Sequence, residues 1–276
     1  MPGERSEDAI AAAARLKTIG ITTILTHLGE NLERVEDAED VFQHYLRLFD
    51  LIQQSGLDAH VSIKTTQLGY DQDVALCARH LDALLDRAVA INTYLWLDME
   101  SSPYVDGTID LYRRLRARAS CVGIALQACL YRTEKDLDSL LPLGAAIRLV
   151  KGAYLEPASV AFPRKADVDA NYFTLASRLL MPEPAPAGSL AHIATHDIPL
   201  QDRIRALIND RGIPTSRHEV AMLYGIGSGR QAELANSGVR TRCLISYGDH
   251  WFPWYMRRLA ERPANVWFVV KNAFGG

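Results

Sequence analysis

The stretch AAIRLVKGAY at 145–154 decides how this chain folds. A short apolar run of β-type residues carries Arg148, ends on Lys151 and opens into Gly152-Ala153, where small residues leave the backbone accessible. The same pattern recurs outward in both directions. Lys64 follows VSI, Asp98 follows YLWL, Gln127 follows GIAL, and Thr195-His196-Asp197 follows HIA. In a barrel of parallel strands the carboxyl ends of all strands open onto one face, and that face holds the active site. A chain that repeatedly places ionisable groups there reads as an enzyme.

Around these runs the sequence alternates between solid apolar stretches and stretches with a 3.6-residue period. Strands are expected at 21–27, 59–64, 92–98, 121–127, 144–149, 190–195, 216–220 and 240–246. Amphipathic helices are expected at 41–54, stopped by Ser55-Gly56, and at 73–90, 106–118, 133–141, 167–180, 198–211 and 228–237. Strands that alternate with helices pair in parallel through right-handed crossovers. Eight is the number that closes a (β/α)8 barrel. An open doubly wound sheet is the structural alternative, but no GxGxxG follows the first strand. One domain is expected over 1–276, with 1–20 as an N-terminal helical extension.

Composition bounds the function. The 276 residues are 48% hydrophobic and 23% charged, an ordinary globular balance. A net charge of −3 gives no bulk attraction to nucleic acid or acidic lipid. The N-terminus has no long apolar segment and no later run reaches about 18 uninterrupted apolar residues, which argues against a signal peptide and a spanning helix. Cys77, Cys121, Cys129 and Cys243 lack ligand spacing and read as reduced thiols of a cytoplasmic protein.

Each candidate has a plain structural reading beside the chemical one. Lys64 is either a cation for an anionic substrate, a Schiff-base amine, or a strand-end lysine reaching solvent. Asp98 requires a partner if buried, and Lys64 on the neighbouring strand could supply one, in a structural or a catalytic role. Glu100 is expected to face solvent or cap its loop. Arg148 and Lys151 are cations placed to stabilise an anionic ligand or a reduced flavin ring, or an Arg–Asp pair tying adjacent strands. His192 and His196 lie about 13 Å apart along a strand, too far for a shared metal. His192 then reads as structural, and Thr195-His196 as hydrogen-bonding groups for a cofactor. GIGSGR at 225–230 reads as an ordinary turn. In HWFPWYMRRLAER, a helix over roughly 250–261, Trp254, Arg257, Arg258 and Glu261 share one stripe. That stripe is a carboxylate clamp or a solvated face.

Taken together, RLVKGAY at 148–154, ATHD at 194–197, MLYGI at 222–226 and MRRLAERPAN at 256–265 resemble the proline dehydrogenase family. SIKTTQLG at 62–69, LDME at 97–100 and LQA at 126–128 support the match, which spans about 20–270. The resemblance implies a distorted (β/α)8 barrel with the C-terminal helix over the strand C-terminal face. It implies non-covalent FAD held by Met99, Gln127, Arg148, Lys151, Gly152, Ala153, Thr195 and His196. A substrate carboxylate would be held by Lys64, Arg257 and Arg258, with Tyr154, Leu244 and Trp254 lining the pocket and Asp98 and Arg148 in the catalytic network. The implied reaction moves hydride from C5 of L-proline to flavin N5, giving Δ1-pyrroline-5-carboxylate. A quinone or other acceptor would then take the electrons, which allows transient contact with the inner face of a membrane.

The chain departs from the family pattern twice. Leu244 stands where the family usually has a pocket tyrosine, and Trp254 where it usually has tyrosine before the arginine pair. Both positions wall the substrate ring, so 4-hydroxyproline or another cyclic imino acid is an alternative substrate. Outside that class stand a Schiff-base aldolase using Lys64 and a non-catalytic relative that binds flavin or a partner.

Overall fold

The computed structural model describes residues 1–29, 32, 34–181 and 185–249; the expected final helix, with Trp254, Arg257 and Arg258, lies outside the described residues. Eight strands pair in parallel in chain order and β8 returns to β1, closing a barrel. They are β1 Thr22–His27, β2 Ala59–Ile63, β3 Leu95–Leu97, β4 Val122–Gln127, β5 Ala146–Val150, β6 Leu190–Ala194, β7 His218–Leu223 and β8 Thr241–Tyr247. Most strand residues are buried on both faces, one set under the helices and one inside the barrel. That double burial is why the runs read as solid apolar blocks rather than alternating ones.

Helices α1 Ser6–Lys17, α2 Val35–Ser55, α3 Val74–Ala90, α4 Val105–Arg116, α5 Thr133–Leu140, α6 Lys165–Leu179, α7 Ile198–Asp210 and α8 Ser228–Asn236 accompany the strands. In α3, Asp73 caps the first turn by accepting from the Ala75 N–H at 2.8 Å. Its apolar face buries Cys77, Leu81, Leu84, Leu85 and Ala88 at helical spacing. Helix α2 starts six residues earlier than the apolar period suggests, because Glu36 and Asp37 favour a helix N-terminus. The N-terminal extension is α1, which buries Ala9, Ala12 and Ala13 and packs against β1 and β8.

Two strand boundaries differ from expectation. Strand β3 is three residues long, because Asn92 takes a left-handed conformation (φ 55°) and the Thr93 hydroxyl bonds the Ala59 carbonyl. Strand β7 runs three residues further, to Leu223, and begins after a single 3₁₀ turn at Thr215–Arg217.

The amino-terminal half of the barrel interior is filled by Trp96 and a polar cluster. Gly123 lies beside Trp96 in the register, and a Cβ there would collide with the indole. The indole N–H donates to His60 Nδ1 at 3.0 Å, and its ring lies tilted against His192 with centroids 4.2 Å apart. Glu219 accepts from both Nε and Nη2 of Arg242 and from Arg240, with His192 Nε2 at 3.2 Å from its carboxylate. Burial holds His192 at about pKa 4 despite the neighbouring Glu219. His192 is therefore structural, as its place in the strand implied.

Candidate active site

Because residues i and i+2 share one face of a strand, the register identifies what points into the barrel. From the polar floor upward, the columns run Ser62 then Lys64, Trp96 then Asp98, Ala125 then Gln127, Arg148 then Val150, and Leu244 then Ser246. The carboxyl-terminal ends of β2, β3, β4, β5 and β8 thus bring Lys64, Asp98, Gln127, Arg148 and Leu244 toward one mouth.

The centre of this arrangement is a hub of three side chains. Arg148 Nη2 bonds the Asp98 carboxylate and donates to Ser62 Oγ at 3.0 Å, while Ser62 Oγ donates to Asp98 Oδ1 at 2.8 Å. Arg148 is 3% exposed and lies over the Trp96 ring, 5.5 Å from its centroid. Its second terminal nitrogen, Nη1, is buried with no hydrogen-bond partner among the described residues. A guanidinium held on one side and open on the other is built to receive an acceptor group. The Arg–Asp pair offered as the plain reading of Arg148 is present, with a different partner and span than the sequence suggested. Asp98 bonds Arg148 and Ser62 rather than Lys64, and the Arg148–Asp98 pair skips over β4 instead of tying adjacent strands. The stagger of a closed barrel brings alternate strands together inside it. Among the described residues Lys64 makes no ion pair.

Glu100 takes the second of its two expected roles. It does cap a loop, but it is 2% exposed and faces the protein. Its carboxylate accepts from Thr65 Oγ1 at 3.1 Å, from the Thr66 N–H at 3.2 Å and from Thr66 Oγ1 at 2.5 Å. Its carbonyl accepts from Gln127 Nε2 at 2.8 Å, which commits that amide's donor end. Gln67 secures the same loop, accepting from the Lys64 N–H at 3.4 Å and donating to the His27 carbonyl at 3.0 Å.

Beyond β5, Lys151 bonds Asp169, and Asp197 at 2.8 Å; Lys165 contacts both carboxylates. Burial alone would raise the Asp197 carboxyl, but bonds from Lys151, the Leu200 N–H and Lys165 outweigh it and hold it at about 2. Lys151 is thus one of two cations facing two anions, not an isolated charge. Gly152 has φ 119°, and a Cβ there would strike Cys129 Sγ, so the turn is open to glycine alone. Ala153 and Tyr154 follow, both half-buried. Met99 is buried beside the hub sequence. The Thr195 hydroxyl accepts from the Asp197 N–H at 3.2 Å, and His196 Nε2 accepts from the Leu223 N–H at 3.0 Å. Leu244 is half-buried in register with Ile24 of β1 and Leu223 of β7.

Ser62 and Asp169 join the site without having stood out in the sequence, and Asp197 acquires a partner the sequence did not indicate. Ser62 is two residues before Lys64 in a strand and so shares its face. Asp169 and Asp197 become visible only once helix α6 and the α7 cap are placed beside Lys151. A cavity of about 1070 Å3 lies at the opposite mouth, against Asp58, His60, Thr93, Ser216 and Arg242 at the strand starts. In barrels of this architecture the amino-terminal end of the strands generally serves stability and the carboxyl-terminal end, where the hub lies, carries active sites.

The fold and hub define the class: a (β/α)8 barrel with a buried cation and a partly buried carboxylate toward its strand C-terminal ends, the plan of a barrel enzyme. The family model for proline dehydrogenase matches residues 9–271, and the chain belongs to that family. It is 36% identical to proline dehydrogenase 2 of Bacillus subtilis strain 168 over 270 residues, covering 98% of this chain and 88% of the relative. It is equally similar, at 36% over 279 residues, to proline dehydrogenase of Deinococcus radiodurans, covering 99% and 88%. The barrel superposes on proline utilization A from Bdellovibrio bacteriovorus with a TM-score of 0.86 at 21% identity. That alignment covers 94% of this chain and 32% of the longer one, and at that identity it speaks to the fold.

Proposed function

We propose that the protein is an FAD-dependent L-proline dehydrogenase producing Δ1-pyrroline-5-carboxylate. The observation that carries the reading is the buried Arg148 guanidinium, fixed through Nη2 and open through Nη1 at the catalytic face. The residues fit a flavin. Arg148 offers an unused donor, Gln127 has its donor end committed and its carbonyl end turned toward Gly152, and the Gly152 turn admits no side chain. Arg148, Gln127, Met99, Lys151, Gly152, Ala153, Thr195 and His196 would hold the group. When bound, FAD supplies the acceptor for hydride from substrate C5.

What the chain itself contributes is binding and orientation. Lys64, with Arg257 and Arg258, holds the substrate carboxylate through charge-assisted hydrogen bonds. Asp98 is kept in place by Ser62 and Arg148, so a carboxylate faces the substrate side of the hub without moving as charge redistributes. Tyr154, Leu244 and Trp254 wall the ring and exclude water. A quinone is the electron acceptor proposed, reached at a membrane surface; no helix among the described residues is long and apolar enough to cross one.

Leu244 supports a second reading, in which trans-4-hydroxy-L-proline is also a substrate. The side chain points into the barrel between Ile24 and Leu223, where a leucine leaves more room than tyrosine. Releasing the cofactor from purified protein and identifying it, alongside assay of both imino acids, tests these readings. Absence of FAD, with no uptake of added FAD, overturns the cofactor assignment.

A further inference from the structure

Glu100 belongs to neither the substrate set nor the cofactor set, yet it touches the frame of both. Its oxygens take three bonds from Thr65 and Thr66, the two residues directly after Lys64, and both threonines are fully buried. Its carbonyl takes the Gln127 amide, and it follows Asp98 by two residues. Simple packing does not call for a carboxylate here. Burial pushes the Glu100 carboxyl up, against the pull of the Thr66 bonds and the Lys64 charge. A raised folded-state pKa means the proton is held more tightly in the fold, so the charged carboxylate is not there to stabilise the fold.

We propose that Glu100 is a positioning residue for Lys64: by bonding Thr65 and Thr66 it fixes the turn that aims the ammonium at the substrate carboxylate. The inference rests on the substrate role proposed for Lys64. It requires a defined chain direction after β2, which the single 3₁₀ turn Thr66–Leu68 provides. Glu100 touches no reacting atom. Its effect passes through two threonines.

The test is steady-state kinetics with L-proline on the flavin-loaded full chain, comparing wild type, Glu100→Ala and Glu100→Gln. Alanine removes the acceptor of all three bonds; glutamine keeps the shape and an acceptor, and a threonine hydroxyl can turn to meet its amide. Glu100→Ala is expected to raise KM about tenfold with kcat within about threefold, the scale of one charge-assisted hydrogen bond. Glu100→Gln is expected to keep KM within about threefold of wild type, a rescue by hydrogen bonding without charge. A merely structural role would lower the active fraction and leave the KM of folded molecules unmoved. Should Glu100→Ala not fold, Thr65→Val and Thr66→Val read the same bonds from the other side, each raising KM about threefold. Wild-type KM in Glu100→Ala, an equal KM defect in Glu100→Gln, or wild-type KM in both threonine variants overturns the proposal. Wild-type protein that does not oxidise proline fails earlier and strikes the proposed function itself.

Discussion

Ser62→Ala removes the middle of the hub while leaving both its charges in place. The Ser62 hydroxyl donates to Asp98 at 2.8 Å and accepts from Arg148 at 3.0 Å, and the residue is fully buried. Each bond involves a charged partner, a class worth about 1.5–3 kcal/mol. The two bonds do not count separately, because Arg148 and Asp98 remain bonded to one another. One bond's worth is therefore the scale of the loss. If it falls on the transition state, kcat/KM drops about tenfold to a hundredfold. If it falls on the folded state, Tm drops by roughly 3–10 °C for a chain of this size. The first outcome is expected, because the Asp98 side chain keeps 19% of its surface exposed and can shift toward the mouth without unfolding the barrel. Thermal melts and kinetics with saturating FAD separate the two. Wild-type kcat/KM together with wild-type Tm would refute the claim that Ser62 holds the hub.

Other perturbations probe different parts. Leu244→Tyr should increase the preference for L-proline over trans-4-hydroxy-L-proline, by about a hundredfold at most, and unchanged relative kcat/KM values would remove Leu244 from the specificity wall. Gly152→Ala combines a left-handed backbone with a collision at Cys129, so purified protein should carry less FAD; normal flavin content would show that the turn adapts. Acid should destabilise the protein through the barrel floor. Burial depresses His192 from 6.5 to about 4, so the unfolded chain binds the extra proton first and stability is lost as pH falls from 6.5 toward 4. A Tm that stays level across that window would contradict the neutral, buried His192.

The alternation of elements was readable because each strand here is buried on both faces and each helix on one. Runs such as VGIAL and AAIRLV cannot sit at a surface, and the stretch 73–90 cannot bury all sides. The positions of Lys64 and Asp98 directly after β2 and β3 were equally readable, whereas Gln127 closes β4 and Arg148 lies within β5, both buried. Partner choice was not readable. Sequence order suggests that Asp98 meets Lys64 from the adjacent strand, whereas the barrel's stagger hands it Arg148 from two strands away. Glu100 looked like a loop residue because its three donors come from the loop after β2, a tertiary fact with no local signature. The same holds for Asp169 and Asp197 around Lys151.

Anaerobic mixing of the purified protein with L-proline, followed by visible absorption, tests the central claim most directly. Wild-type protein should show an oxidised-flavin band that bleaches with proline concentration, and Arg148→Ala should lose much of that response. A flavin band that L-proline leaves unchanged, with both variants behaving alike, would contradict a hub built for proline oxidation.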